Sequence, residues 1–237
     1  LISISPNKTD IIKKAVLACP WSSEIWLADI MVETAIHPPP QGDAYLLEYI
    51  QKNPTTVKVS AMTQIQAADF LLKRNCTKSS LFLTELAMKN ARGSASIYLK
   101  AFECAVTMKN KNIALQSIRG AIDSSLRVAP ELYRLLINMK VEDNIISDDD
   151  ETINALKILH QNDPNNLLWT HMLGIARMKR GGVNIVEAMS LMEEALRKGS
   201  SLKTAYIILG EAARQLGNLE KAVFYLKEGL KKNPGDM

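Results

Sequence analysis

The chain has 237 residues, of which 47% are apolar, 23% charged and 5% aromatic, and a formal net charge of +4. That apolar share builds a substantial core and excludes a disordered tail, and no apolar run approaches the ~18 residues of a membrane-spanning helix. The basic excess is confined to the first half: residues 1–120 carry 14 Lys and Arg against 9 Asp and Glu, whereas the remainder carries 15 against 16. Leu1 is not an initiator Met and nothing near it resembles a signal peptide, so the chain reads as a fragment of a longer one. Cys19, Cys76 and Cys104 are odd in number and far apart, which suits small buried hydrophobes in a reducing compartment.

In chain order, residues 1–36 read as two helices meeting at Cys19-Pro20. Residues 37–56 hold a proline-rich loop and a short helix. Three consecutive prolines, Pro38-Pro39-Pro40, favour an extended segment over any helix there. Residues 57–161 carry degenerate helix pairs, expected at 57–74 with 78–91, 94–109 with 112–126, and 130–140 with 148–161. Ala87, Ala121 and Ala155 stand 34 residues apart in the second helix of each pair. Pro130 suits the first turn of a helix, where its missing N–H costs nothing, and Ser147 or Asp148 can cap the next.

The pattern is clearest over residues 165–237. Helices are expected at 165–180 and 185–198 around Gly181-Gly182, then at 202–216 and 219–232 around Gly217-Asn218, with Asn233-Pro234-Gly235 as the stop. Leu173-Gly174, Ala188, Met192 and Ala195 recur as Leu209-Gly210, Ala222, Leu226 and Gly229. The spacing is 36 residues across the first helices and 34 across the second. A fixed period of this size marks a solenoid, in which each unit buries its apolar face only against its neighbours. The expectation is a single all-α domain over 1–237, an α-solenoid of about six stacked antiparallel helix pairs.

No motif of catalysis is present. His37, His160 and His171 are scattered, and there is no His-Glu-x-x-His, Cys-x-x-Cys, phosphate loop or nucleophile elbow. No catalytic, cofactor-binding or metal-binding residue is therefore assigned, and no enzyme or cofactor is expected. The acidic run Ser147 to Glu151 lacks the Gly and terminal Glu of a calcium loop and suits a helix start. Arg177, Lys179 and Arg180 suit a helix C-terminus, and Asn7 and Asn75 head glycosylation triplets that arise readily by chance.

The stretch from Thr204 to Pro234 resembles a tetratricopeptide repeat, with Leu209-Gly210, Ala213, Gly217, Ala222, Leu226, Gly229 and Pro234 at that family's small, apolar and helix-ending positions. Leu168 to Ala195 is similar, though Lys198-Gly199-Ser200 stands in place of the terminal proline. Ala15 to Leu27, through Cys19-Pro20-Trp21, looks like the half-a-tetratricopeptide pattern, a cousin found mostly in RNA-processing assemblies. The resemblance implies a right-handed superhelix whose first helices line a concave, partner-binding face. His171, Ile175 and Met178 in one repeat, and Ile207, Glu211 and Arg214 in the next, map to that face. Leu99 and Val106 are further candidate anchors. Glu211 would repel an acidic tail, so the groove is not the chaperone-carboxylate clamp of some tetratricopeptide adaptors.

The leading expectation is a non-enzymatic scaffold that takes a peptide segment or partner subunit in an RNA-processing or RNA-decay complex. No membrane partner is expected, and a nuclear location is favoured over a cytoplasmic one. Two alternatives stand. One is direct RNA binding, which requires Lys13, Lys14, Lys52, Lys58, Lys73 and Arg74 on one surface. The other is a cytoplasmic trafficking or assembly adaptor on the same solenoid.

Overall fold

The computed structural model describes residues 6–19, 22–141 and 145–232, and these hold thirteen α-helices and no strand element. The Pro20-Trp21 part of the Cys-Pro-Trp signature and the Asn233-Pro234-Gly235 stop lie outside the described residues. The chain divides into two compact units, Leu1–Val128 and Ala129–Met237.

The first unit contains α1 (Pro6–Ala18), α2 (Ser23–Ile36), α3 (Gly42–Lys52), α4 (Ala61–Leu72), α5 (Thr77–Lys89), α6 (Ala95–Thr107) and α7 (Lys111–Asp123). The extended segment expected at Pro38 to Pro40 is a tight connection between α2 and α3. Helix α4 begins at Ala61 rather than at residue 57. Ser60 adopts extended backbone and its hydroxyl accepts the Thr63 N–H at 3.1 Å, satisfying a donor that an unstarted helix leaves bare. The residues before it fold into turns instead. The Thr56 hydroxyl donates to the Ile50 carbonyl at 2.8 Å and accepts from the Trp26 indole at 3.3 Å.

Trp26, Ile30, Leu46, Ile50, Ile65, Leu71 and Leu83 form the centre of this unit's core. Cys76 and Cys104 are buried free thiols, each pushed up to about 11 chiefly by burial. One tether is long-range. Asp43 on α3 accepts the Lys78 and Ser79 backbone N–H groups at 2.9 and 3.1 Å and the Ser79 hydroxyl at 2.6 Å. Cys76, the residue preceding α5, offers no side-chain cap of its own, so a carboxylate from another helix sits at the positive end of the α5 dipole.

The second unit contains α8 (Pro130–Lys140), α9 (Asp150–Asn162), α10 (Leu167–Arg180), α11 (Asn184–Arg197), α12 (Lys203–Gln215) and α13 (Leu219–Lys232). Pro130 opens α8 as expected. The α9 cap is Asp149, where Ser147 or Asp148 was expected. Its carboxylate accepts the Thr152 N–H at 2.8 Å, the Ser147 hydroxyl at 2.5 Å and Lys140 Nζ at 2.7 Å. Burial alone would raise that carboxyl, but these donors together hold it far below the usual range. The acidic run is spent on starting a helix and pairing Lys140.

Consecutive helices pack closely because small residues stand at the crossings. A methyl group added at Gly210 would lie 2.7 Å from Leu226 Cγ, and one at Gly229 would lie 2.8 Å from Tyr206 Cβ. Ala222 is 6% exposed in the same interface. Ala222→Leu is expected to cost about 1–3 kcal/mol through overpacking, read from denaturant unfolding, while exposed Glu220→Ala stays within about 0.5 kcal/mol. Equal losses would place Ala222 outside the α12–α13 contact.

Candidate functional site

The residues expected on one partner-binding face divide into two groups. His171 is only 4% exposed. Its Nε2 lies 2.8 Å from the Ser200 hydroxyl, so the ring packs inside the unit and is not open to a partner. Ile175 and Met178 are half-buried and pack on Met192, Ala205, Ile208 and Leu209. The physical reason is that α12 stacks beside α10 and covers these positions.

On α12 the equivalent positions are open, since 36 residues beyond His171, Ile175 and Met178 stand Ile207, Glu211 and Arg214. Ile207 is 47% exposed. Glu211 and Arg214 form a two-pronged ion pair at 2.5 and 2.8 Å, and Gln215 donates to Glu211 at 2.7 Å. The Arg214 guanidinium and the Gln215 amide hold the Glu211 carboxyl down to about 2. Both charges face water, so the pair adds little stability. Of the other proposed anchors, Leu99 is half-buried and Val106 is exposed.

A larger apolar surface lies on α13, where sequence reasoning placed no site. Leu219, Val223, Leu226 and Leu230 follow i, i+4, i+7 and i+11 spacing and are 44–65% exposed. Phe224 adds a 59% exposed ring beside them. Thirty-four residues earlier on α11 stand Ile185, Met189, Met192 and Leu196. Ile185 and Met192 are 8% and 0% exposed, while Met189 and Leu196 are partly buried and pack on Ala205, Ile208 and Leu209 of α12. The same stripe is thus covered on α11 and uncovered on α13. This signal was present in the sequence as the 34-residue echo.

Most of the six basic residues expected at an RNA contact are engaged within the first unit. Lys13 pairs with Glu33 at 3.2 Å, Lys14 with Asp10 at 2.7 Å, and Lys73 with Asp69 at 2.6 Å, while Lys52 pairs with Glu48. Lys13 and Lys52 share one cavity, Lys58 lines another, and the Arg74 guanidinium lies over the Phe70 ring. The basic cluster closing α10 is similarly engaged. Arg177 pairs with Glu187, Arg180 with Asp150, and Lys179 donates to the Ile146 carbonyl. Among the described residues no group of three His, Cys, Asp or Glu side chains is arranged to hold a metal, and no helix is long and apolar enough to cross a membrane.

Burial of His171 makes a pH prediction. Desolvation pushes its pKa below the ordinary 6.5, so between the two values the unfolded chain binds the proton more readily than the folded one. Stability is therefore expected to be full above pH 6.5 and to fall as pH drops below it. Thermal unfolding across pH 5 to 8 should show this slope, and His171→Gln, which keeps a hydrogen-bonding group toward Ser200, should flatten it. An unchanged slope would mean that His171 is not buried as a neutral ring.

Comparison with known proteins agrees with this geometry. No curated protein matches the chain. The tetratricopeptide repeat model matches residues 204–236, the α12–α13 pair. Among solved structures, "YrrB: a TPR protein with an unusual peptide-binding site" is similar with a TM-score of 0.52 at 18% identity, covering 80% of this chain and 93% of that one. MamA AMB-1 gives a TM-score of 0.52 at 14% identity, covering 75% and 93%, and MamA MSR-1 gives 0.51 at 13%, covering 75% and 98%. At these identities the likeness is one of fold. Sequence and fold together identify residues 204–236 as a tetratricopeptide repeat within an all-α, helical-repeat chain.

Proposed function

We propose that this protein is a non-enzymatic scaffold that docks a helical segment of a partner protein onto α13. The observation that carries the reading is the open stripe of Leu219, Val223, Leu226 and Leu230, the counterpart of the α11 stripe that packs against α12. Exposed apolar side chains in register along one helix are costly to leave wet. Burying such a side chain from full exposure recovers roughly 1.5–3 kcal/mol, and these half-exposed ones recover about half of that each.

The partner's form follows from the internal template. Helix α12 meets α11 through Ala205, Ile208 and Leu209, small and aliphatic residues at helical spacing. A partner helix with the same pattern fits α13 by the helix-in-groove mode. The flank is basic: Lys221, Lys227, Lys231 and Lys232 outnumber Glu220 and Glu228, so acidic residues beside the partner's apolar stripe match it. That YrrB is described as having a peptide-binding site supports the general class of reading. Ile207, Glu211 and Arg214 on α12 offer a second, more polar contact line.

A direct test uses the chain's own template as probe. A fluorescent, helix-stapled peptide of residues 203–215 carrying Lys203→Glu and Arg214→Glu, to match the basic flank, is expected to bind the protein with a micromolar Kd by fluorescence anisotropy. Val223→Asp with Leu230→Asp should weaken it at least tenfold, and Glu211→Arg with Arg214→Glu should leave it unchanged. If instead the α12 reversals abolish binding and the α13 changes are silent, the docking face is α12 and the α13 assignment fails.

A further inference from the structure

In the first unit, two loops that each carry a cation meet over one cavity. It has a volume of about 480 Å³ and is walled by the residues leading into α4 and by the turn between α5 and α6. Val59, Ala91 and Ile97 are buried and give it an apolar floor, with the more exposed Val57 and Met62 beside them. Lys58 and Arg92 line the same cavity, and both are exposed. Among the described residues no Asp or Glu lines it.

The two loops are fixed to each other by Gln64 on α4, a side chain with no exposure. Its Nε2 donates to the Thr56 carbonyl at 2.7 Å, and its Oε1 accepts Asn90 Nδ2 at 3.2 Å. Thr56 stands two residues before Lys58, and Asn90 two before Arg92. Each loop is also held locally, since the Lys58 N–H donates to the Thr55 carbonyl at 2.9 Å and the Ala91 N–H to the Met88 carbonyl at 3.2 Å. A buried amide bonded at both ends makes the backbone under the two cations rigid, so both are delivered to one opening. Carboxylates neutralise Lys13, Lys14, Lys52 and Lys73 in the same unit, whereas Lys58 and Arg92 have no ion pair among the described residues. Two like charges held at one opening gain most from an anion placed between them.

We propose that this cavity takes a phosphorylated side chain of a partner protein, its phosphate oxygens on Lys58 and Arg92 and its stem against Val59, Ala91 and Ile97. Two cations without a carboxylate match the near-dianionic charge of a phosphate monoester, and the guanidinium presents paired donors to its oxygens. The first turn of α4 forms part of the same wall and adds the positive end of its dipole. An aromatic stem, as in phosphotyrosine, covers more of the apolar floor than the single methylene of phosphoserine. A nucleic-acid backbone fits less well. It carries one charge per phosphate and needs a track of free cations, whereas the neighbouring lysines are paired. The origin of the phosphate in a partner protein rests on the scaffold reading, whereas the charge and floor of the cavity stand independently of α13.

The test uses Nα-acetyl-phosphotyrosine methylamide and its unphosphorylated form as probes, read by the Ala61 and Met62 backbone amide signals of the whole chain. The phosphorylated probe is expected to shift them saturably at millimolar concentration, and the unphosphorylated one not at all. Lys58→Gln with Arg92→Gln, at two exposed positions and hence safe for folding, should weaken the phosphorylated probe about tenfold or more. Lys73→Gln, which removes a paired lysine outside the cavity, should leave it unchanged. Shifts that persist in the double variant, or none from the phosphorylated probe, would overturn the proposal. Inorganic phosphate binding as tightly as that probe would reduce the site to a surface anion contact that ignores the floor, and the proposal fails. Phenyl phosphate binding more tightly than the capped amino acid would assign the cavity to a free phosphate ester, and a single-stranded oligouridylate doing so would assign it to RNA. Either result overturns the partner-protein source. Loss of peptide binding at α13 with the phosphotyrosine shift intact would count against the α13 reading and leave this site standing alone.

Discussion

The constraint on which the rest depends is that no helix in this chain can cover its own apolar stripe. A single amphipathic helix of 11 to 14 residues is marginal in water, so helices gain stability by lying against neighbours within their own unit. Close approach needs small residues at the crossing points, and Gly210, Ala222 and Gly229 occupy them between α12 and α13. Leu226 in turn fills the space beside Gly210. The 34-residue spacing of the small positions records that one contact used again. A repeat of this kind has no natural closure. Its stripe goes on to the final described helix, where Leu219, Val223, Leu226 and Leu230 remain 44–65% exposed.

That constraint explains which parts of the molecule were legible in the sequence. The helices of α10 to α13 were readable to within two residues, because apolar periodicity, turn glycines and the repeat all point to the same boundaries. Gly181 and Gly217 adopt φ of 71° and 77°, a backbone that L-residues avoid, and so mark helix ends in the sequence itself. The start of α4 was less legible. Val57 and Val59 continue an apolar pattern, yet Val57 is 65% exposed and Val59 is buried in a turn, not a helix. The Ser60 cap decided the boundary, and a serine within a helical pattern does not announce its role. The tether from Asp43 to the head of α5, 36 residues away, had no local signal at all.

Site residues were less legible than the fold because periodicity says which positions share a face, not what covers it. His171, Ile175 and Met178 were placed beside Ile207, Glu211 and Arg214 by equal register. The two sets differ in exposure: α10 has α12 as a neighbour, and among the described residues no helix follows α13 to cover the same face of α12. The basic residues of the first unit illustrate a second limit. Counting charge gave an excess of Lys and Arg there, but carboxylates from the same or adjacent helices take up four of the six candidates in pairs. Net charge describes a far field, and these pairs lower the local positive field that a phosphate backbone would meet.

The α13 stripe is shallow and its specificity comes from shape and from the flanking lysines, so related helices with the right spacing should compete for it. A repeat scaffold of this kind changes partners by altering a few surface residues while the small-residue crossings that hold its helices together stay untouched.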